Sequence, residues 1–208
     1  ALFQDILYRD IVVRYKLSNV EEVRQIALYL ASNVGKLFSY ATLQAISGLK
    51  SLSSVKNYLQ YFEASYLFYY LKKFDYSVKK QIMNSRKVYA VDNAIPNRLG
   101  FRFSDNKGRL LENAVFSELQ RRGCEIYYFS EKYECDFLVK ENLDITEAIQ
   151  VTYGLNTENV TREIGGLAEA MQTFNIPKGT LIVVDNTNFP IDLPPGVSVI
   201  PAYEWLMN

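Results

Sequence analysis

The stretch "YECDFLVKENLDITEAIQVTYGL", residues 133–155, decides the fold. It reads as two strands. Period-two alternation puts Glu134, Asp136, Leu138 and Lys140 on one face of the first, and Cys135, Phe137 and Val139 on the other. In the second strand Gln150 and Thr152 share a face, while Ile149, Val151 and Tyr153 form the apolar one. Each strand therefore has one face that packs under helices and another that offers polar groups. If the polar faces come together, Asp136 and Gln150 approach one point. A hard cation such as Mg2+ or Mn2+ takes oxygen ligands, which a carboxylate, an amide carbonyl and waters supply.

Working outward, "RLLENAVFSELQRRG" is a helix stopped by Gly123, and "CEIYYFSE" is a strand before the quoted pair. After it, "VTREIGGLAEAMQTFN" reads as a helix despite its glycine pair, "GTLIVVDN" as a buried strand, and "VSVIPAYEWLMN" as a strand running into a short helix. The order is αβββαβ with a final strand. Glu112 falls on the helix face of Phe116 and Leu119. A carboxylate on an apolar face is costly unless it is paired, protonated or metal-bound. It is a third candidate ligand, with an arginine partner or the helix macrodipole as the structural alternatives.

The first half of the chain has a different pattern. "EEVRQIALYLA" (21–31) has helical spacing, Ser39 caps a second helix that ends before Gly48, and "SLSSVKNYLQYFEASYLFYYL" begins a third. The third helix carries Leu52, Val55, Leu59 and Phe62 on one stripe and Ser53, Ser54, Lys56, Asn57 and Gln60 on another. Residues from "YLFYYLKKFDY" to "KKQIMNSRKVYAVD" read as a β-hairpin turning at Asn84 and Ser85. Three helices and a basic hairpin outline a winged helix-turn-helix. Its polar stripe, with Lys79 and Lys80 on the wing, suits DNA phosphates and base edges. A solvated helix face and an edge hairpin blunted by lysines would show the same pattern. The expected division is a winged-helix domain with a connecting helix over 1–92 and a second domain over 93–208, with the boundary marked by polar "NRLGFRFSDNKGRL".

Composition narrows the chemistry. The 208 residues include no histidine, which removes Ser-His-Asp and Cys-His triads, HExxH proteases and His-ligated zinc together. Net charge is zero, yet residues 50–90 hold eight bases against two acids, and residues 91–208 hold ten against seventeen. That asymmetry suggests two domains with different partners. Cys124 and Cys135 form no metal or disulfide pattern, and no apolar run is long enough to span a bilayer. With no signal-peptide pattern, the expected location is the cytoplasm, with no membrane partner. "NVGKLFS" lacks the glycine spacing of a phosphate-binding loop, and most of the 16 tyrosines lie in apolar stripes. The chain opens on Ala, not Met, in "ALFQDILYRDIVVRY", as the middle of a longer protein would.

The αβββαβ order with "ECDFLV" and "AIQVTY" resembles the PD-(D/E)xK, or restriction-endonuclease-like, fold. More narrowly, "LYRDIVVRY", "FSYATLQAI", "KVYAVDNAI", "GRLLENAVFSELQRRG", "ECDFLV" and "TREIGGLAEA" resemble, in that order, the C-terminal region of prokaryotic AAA-type ATPases that carry a nuclease-like domain. The resemblance covers essentially the whole chain. It implies an α+β protein, with a winged helix followed by a nuclease-like domain, and an upstream ATPase domain that would hold ATP. It makes Glu112, Asp136 and Gln150 metal ligands and puts Thr152 where related nucleases hold lysine. A hydroxyl is a poor substitute for an ammonium that orients water or offsets phosphate charge. Lys140, on the expected Asp136 face, is the candidate replacement. The expected function is a DNA-binding module of an ATPase whose nuclease site has lost its lysine. The alternatives are a protein-interaction platform and a Mg2+-dependent nuclease using Lys140.

Overall fold

Side-chain caps and apolar stripes build the first half of the chain from short helices. The computed structural model describes residues 2–99, 107–184 and 193–207. These form two units, the first holding residues 2–71 and 84–99, the second the remainder.

In the first unit, α1 (Leu2–Asp5) continues into a wider, π-type stretch over Ile6–Val13 that buries Leu7 and Ile11. Helix α2 (Val20–Ser32) buries Val23, Ile26, Ala27, Leu30 and Ala31, the spacing of one helical face. Strand β1 (Leu37–Phe38) leads into α3 (Tyr40–Ser47), where the Ser39 hydroxyl accepts the Thr42 N–H at 3.1 Å. Gly48 ends α3 at φ +71°, a left-handed conformation that glycine adopts without a Cβ clash. Ser51 caps α4 (Leu52–Ala64), which buries Val55, Tyr58, Leu59 and Phe62. Strands β2 (Phe68–Lys72) and β3 (Arg86–Ala90) complete a three-stranded sheet in the order β1-β3-β2. Helix α6 (Ala94–Leu99) seats Ile95 and Leu99 on the same core as Leu30, Leu43 and Phe62, so this unit runs past residue 92. The expected boundary at "NRLGFRFSDNKGRL" lies partly outside the described residues.

The hairpin expected after α4 is interrupted. Strand β2 stops at Lys72, and Lys73 bridges Tyr128 of the second unit in parallel. Phe74 is buried there with Phe129 and Phe174. Asp75 accepts the Ser77 N–H at 2.8 Å, and a helix, α5 (Val78–Met83), follows. An alternating aromatic pattern predicts a strand well but not which core each ring will enter. The Asp-Tyr-Ser stretch was the local helix-start signal that this alternation masked.

The second unit has the expected element order. Helix α7 (Lys107–Arg121) precedes β4 (Glu125–Ser130), β5 (Glu134–Glu141) and β6 (Asp144–Thr152). Then come α8 (Val160–Phe174), β7 (Gly179–Val183), β8 (Val197–Pro201) and α9 (Ala202–Met207). The sheet order is β4-β5-β6-β7-β8, with β4, β5 and β6 antiparallel and β6, β7 and β8 parallel. The long connection that a parallel step requires is α8. Leu138, Ala148, Leu167, Ala170 and Leu181 are fully buried between α8 and the sheet. Each leucine contributes about 1.5–3 kcal/mol by leaving water. On the other face, the Phe116 ring of α7 meets Phe137 of β5 at 6.4 Å. The chain is an α+β protein, and among its described residues no helix is long and apolar enough to cross a membrane.

Candidate functional site

Strict alternation fails at the centre of β5. Between Phe129↔Cys135 and Tyr127↔Leu138 the pairing advances two residues on β4 and three on β5, a β-bulge. Cys135 and Leu138 consequently share the apolar cluster under α8, although period two had placed them on opposite faces. The bulge takes in Asp136 and Phe137, which together stand opposite Tyr128. Toward that end of the ladder, beyond Phe137↔Ile149, side chains take over as partners between β5 and β6. The Asp136 N–H donates to Gln150 Oε1 at 3.2 Å, and the Val151 N–H donates to Asp136 Oδ2 at 3.0 Å.

The arrangement continues into α8. Gln150 Nε2 donates to Glu163 Oε2 at 2.6 Å, and the Arg162 guanidinium donates to Glu163 Oε1. The Glu163 carboxylate holds Arg162 above the ordinary arginine pKa, with smaller help from Asp136 and Glu134. Asp136, Gln150 and Glu163 are all buried, so this hydrogen-bonded chain is a satisfied polar core that ends on the more exposed Arg162. Glu163 was not among the residues picked from the sequence. Its signal was present, because Glu163 shares a helical stripe with Gly166, Leu167 and Ala170, as Glu112 does with Phe116.

Close approach of α8 makes the chain of bonds reachable. A Cβ on Gly166 would lie 1.9 Å from the Glu134 carbonyl oxygen, and one on Gly165 would lie 3.0 Å from the Tyr133 ring. The glycine pair is therefore the contact surface of α8 on β5. Glu169, on the same helix, accepts the N–H groups of Lys132 and Tyr133 and ties down the β4–β5 turn.

Glu112 lies on a different helix, and Lys140 and Thr152 have other partners. Glu112 is buried on α7 one turn before Phe116, the helix that meets the Phe137 face, whereas Gln150 turns to α8. The Lys140 ammonium is bound by both Glu125 oxygens, at 2.9 and 3.0 Å across β4, and a second register shift separates Lys140 from Val139. Lys140 and Tyr127 hold Glu125 below the usual carboxylate range, while burial and that hydrogen bond push Tyr127 up to about 12. Thr152 is buried and donates to the Gly154 carbonyl. Asp136 Oδ2 and Gln150 Oε1, two of the oxygens a divalent cation would use, already accept backbone N–H groups. Among the described residues no three acidic, Cys or His side chains form a cation cage. In this arrangement a Mg2+ or Mn2+ ion would have to compete with the bonds that Gln150 makes to the Asp136 N–H and to Glu163.

In the first unit the expected DNA-facing residues divide. Ser53, Lys56, Asn57 and Gln60 are exposed on α4, with Ser54 half-buried beside them. Lys79 and Lys80 are not on a wing but on α5, within the second unit, where Lys80 pairs with Asp75 at 3.7 Å. Tyr76, Val78, Ile82 and Met83 beside them are exposed. Lys87 of the basic segment is buried in β3.

Fold and site define a two-unit α+β protein with an exposed polar helix in one unit and a closed polar chain in the other. It belongs to the family described as Domain of unknown function (DUF8612), whose profile matches residues 1–106. It is similar to uncharacterized protein MJ1544 of Methanocaldococcus jannaschii, 33% identical over 98% of this chain and 48% of that protein. It is also similar to an uncharacterized protein of Haemophilus influenzae, 26% identical over 100% of this chain and 51% of that protein. The chain spans about half the length of these curated relatives. No solved structure matches it.

Proposed function

We propose that this chain is a duplex-DNA-binding module of winged-helix type, with a nuclease-like second unit that serves as a scaffold and does not cut. The observation that carries the reading is α4. Val55, Leu59 and Phe62 are buried, and Ser53, Lys56, Asn57 and Gln60 are left facing solvent from a helix entered through the tight turn after α3. Amides and hydroxyls on an exposed helix can read base edges, and lysine adds phosphate attraction. For the second unit, support comes from Gln150, whose amide is bonded at both ends, and from Lys140, which is held by Glu125. In the longer protein we place this module after an ATPase domain, following the resemblance, with DNA and that domain as its partners.

The test is fluorescence anisotropy of a labelled mixed-sequence duplex across a salt series. The expected result is saturable binding that weakens steeply with salt, and that Asn57→Ala with Gln60→Ala reduces. Plasmid incubated with the chain in Mg2+ or Mn2+ should remain uncut. Binding indifferent to the α4 substitutions would overturn the DNA reading, and metal-dependent cutting lost in Asp136→Asn would overturn the scaffold reading.

A further inference from the structure

Two cations from different elements share one aromatic ring in the first unit. Lys56 Nζ of α4 lies 5.4 Å from the Tyr40 ring centroid, and the Arg86 guanidinium of β3 lies 5.5 Å from it. Arg86 is fixed by strand pairing opposite Phe38, two residues before Tyr40. Neither cation makes an ion pair among the described residues. Among the described residues Arg86 Nε is buried with no hydrogen-bond partner, and so is the hydroxyl of Tyr70, which lies within electrostatic reach of Glu63 and, more weakly, of Arg86. Arg14, Lys107 and Lys132 each lie over a ring of their own, whereas Tyr40 is the ring that two cations from different elements share among the described residues. Here two positive charges converge on a ring that attracts both, and no carboxylate pairs with either among the described residues.

We propose that Lys56, Tyr40 and Arg86 form a phosphate clamp that grips the sugar-phosphate backbone of duplex DNA beside the α4 polar face. The proposal rests on the DNA-binding reading and makes it specific. Arg86 offers a planar donor fork to phosphate oxygens, Lys56 adds a point charge, and Tyr40 holds both in place. The clamp supplies affinity and orientation, and the Asn57 and Gln60 amides supply base contacts. This also relocates the basic contact of the sheet region. The lysines expected on the wing sit on α5, and Arg86, at the start of β3, replaces them.

The salt series decides it. In Lys56→Gln with Arg86→Gln, the slope of log affinity against log salt should flatten by roughly 0.9 for each charge removed. Asn57→Ala with Gln60→Ala should weaken binding and leave that slope unchanged. Arg86→Lys, which keeps the charge, should retain most of the slope and shows that the site still folds. If wild type binds DNA but the double neutralisation leaves the slope unchanged, the clamp is wrong and the DNA reading stands. Inorganic phosphate titration of the wild type, read by NMR at Arg86 Nε and the Tyr40 ring, is independent of DNA. Saturable shifts there, absent in the double variant, support an anion site even if no duplex binds. No shift overturns the clamp whether or not DNA binds.

Discussion

Gln150 uses its whole amide. The oxygen accepts the Asp136 N–H and the nitrogen donates to Glu163, so one side chain closes the diverging ends of β5 and β6 and anchors α8. Replacing it by leucine keeps the volume but leaves a buried backbone donor and a buried carboxylate oxygen unpaired. Orphaned groups of this kind cost about 1–3 kcal/mol each, so Gln150→Leu should lose about 3 kcal/mol in urea unfolding. A loss within measurement error would mean that the amide is not structural and is free to take a ligand. The sequence made Gln150 and Asp136 visible as polar residues on strands, but alternation could not show that a bulge takes in Asp136 and Phe137. A bulge depends on the partner strand, and no pattern within one strand records it.

At the scale of elements, α8 on β5 is the contact on which the polar chain depends. Gly166 lies against a backbone carbonyl, which cannot rotate aside as a flexible side chain would. Gly166→Ala should therefore lift the helix and cost more than about 2 kcal/mol, as overpacking a close contact does. Gly108, in α7, has open space around it, and Gly108→Ala should be neutral or stabilising by up to about 1 kcal/mol. Equal effects of the two substitutions on chemical unfolding would remove the close-approach argument. The helices and strands from α7 to α9 were legible in order because their apolar runs are bounded by turn residues such as Gly123. The α2, α3 and α4 helices were legible because Ser39 and Ser51 cap two of them and their stripes have helical spacing. Helix α5 was not, because its Tyr76, Val78, Ile82 and Met83 are exposed and leave no core-facing period to read.

Across the whole molecule, 23 acidic and 23 basic residues balance at neutral pH, so the carboxylates with partners are where pH first bears on the fold as it falls. Glu118 shows this best. Its oxygens accept hydrogen bonds from Arg121 and Arg122, which hold it down at about 2. Arg122 in turn covers the ring of Trp205 at 4.2 Å and donates to the Trp205 carbonyl at 2.7 Å, joining α7 to α9. Glu21 and Glu125 are also depressed, by Arg24 and by Lys140. A carboxylate with a lowered folded-state pKa stabilises the fold fully above its unfolded value and loses that contribution as pH falls through the folded one. For Glu118 the window runs from about 4.5 down to about 2. Trp205 is the chain's only tryptophan, so its fluorescence reports this junction without interference from another indole. The urea midpoint read by Trp205 should be flat from neutral pH to about pH 5 and then fall on further acidification. Glu118→Gln should lower the midpoint at neutral pH and flatten the acid limb, because glutamine cannot be protonated out of the network. An acid limb as steep in Glu118→Gln as in wild type would place the acid sensitivity on other carboxylates and leave Arg122 on Trp205 as a packing contact alone.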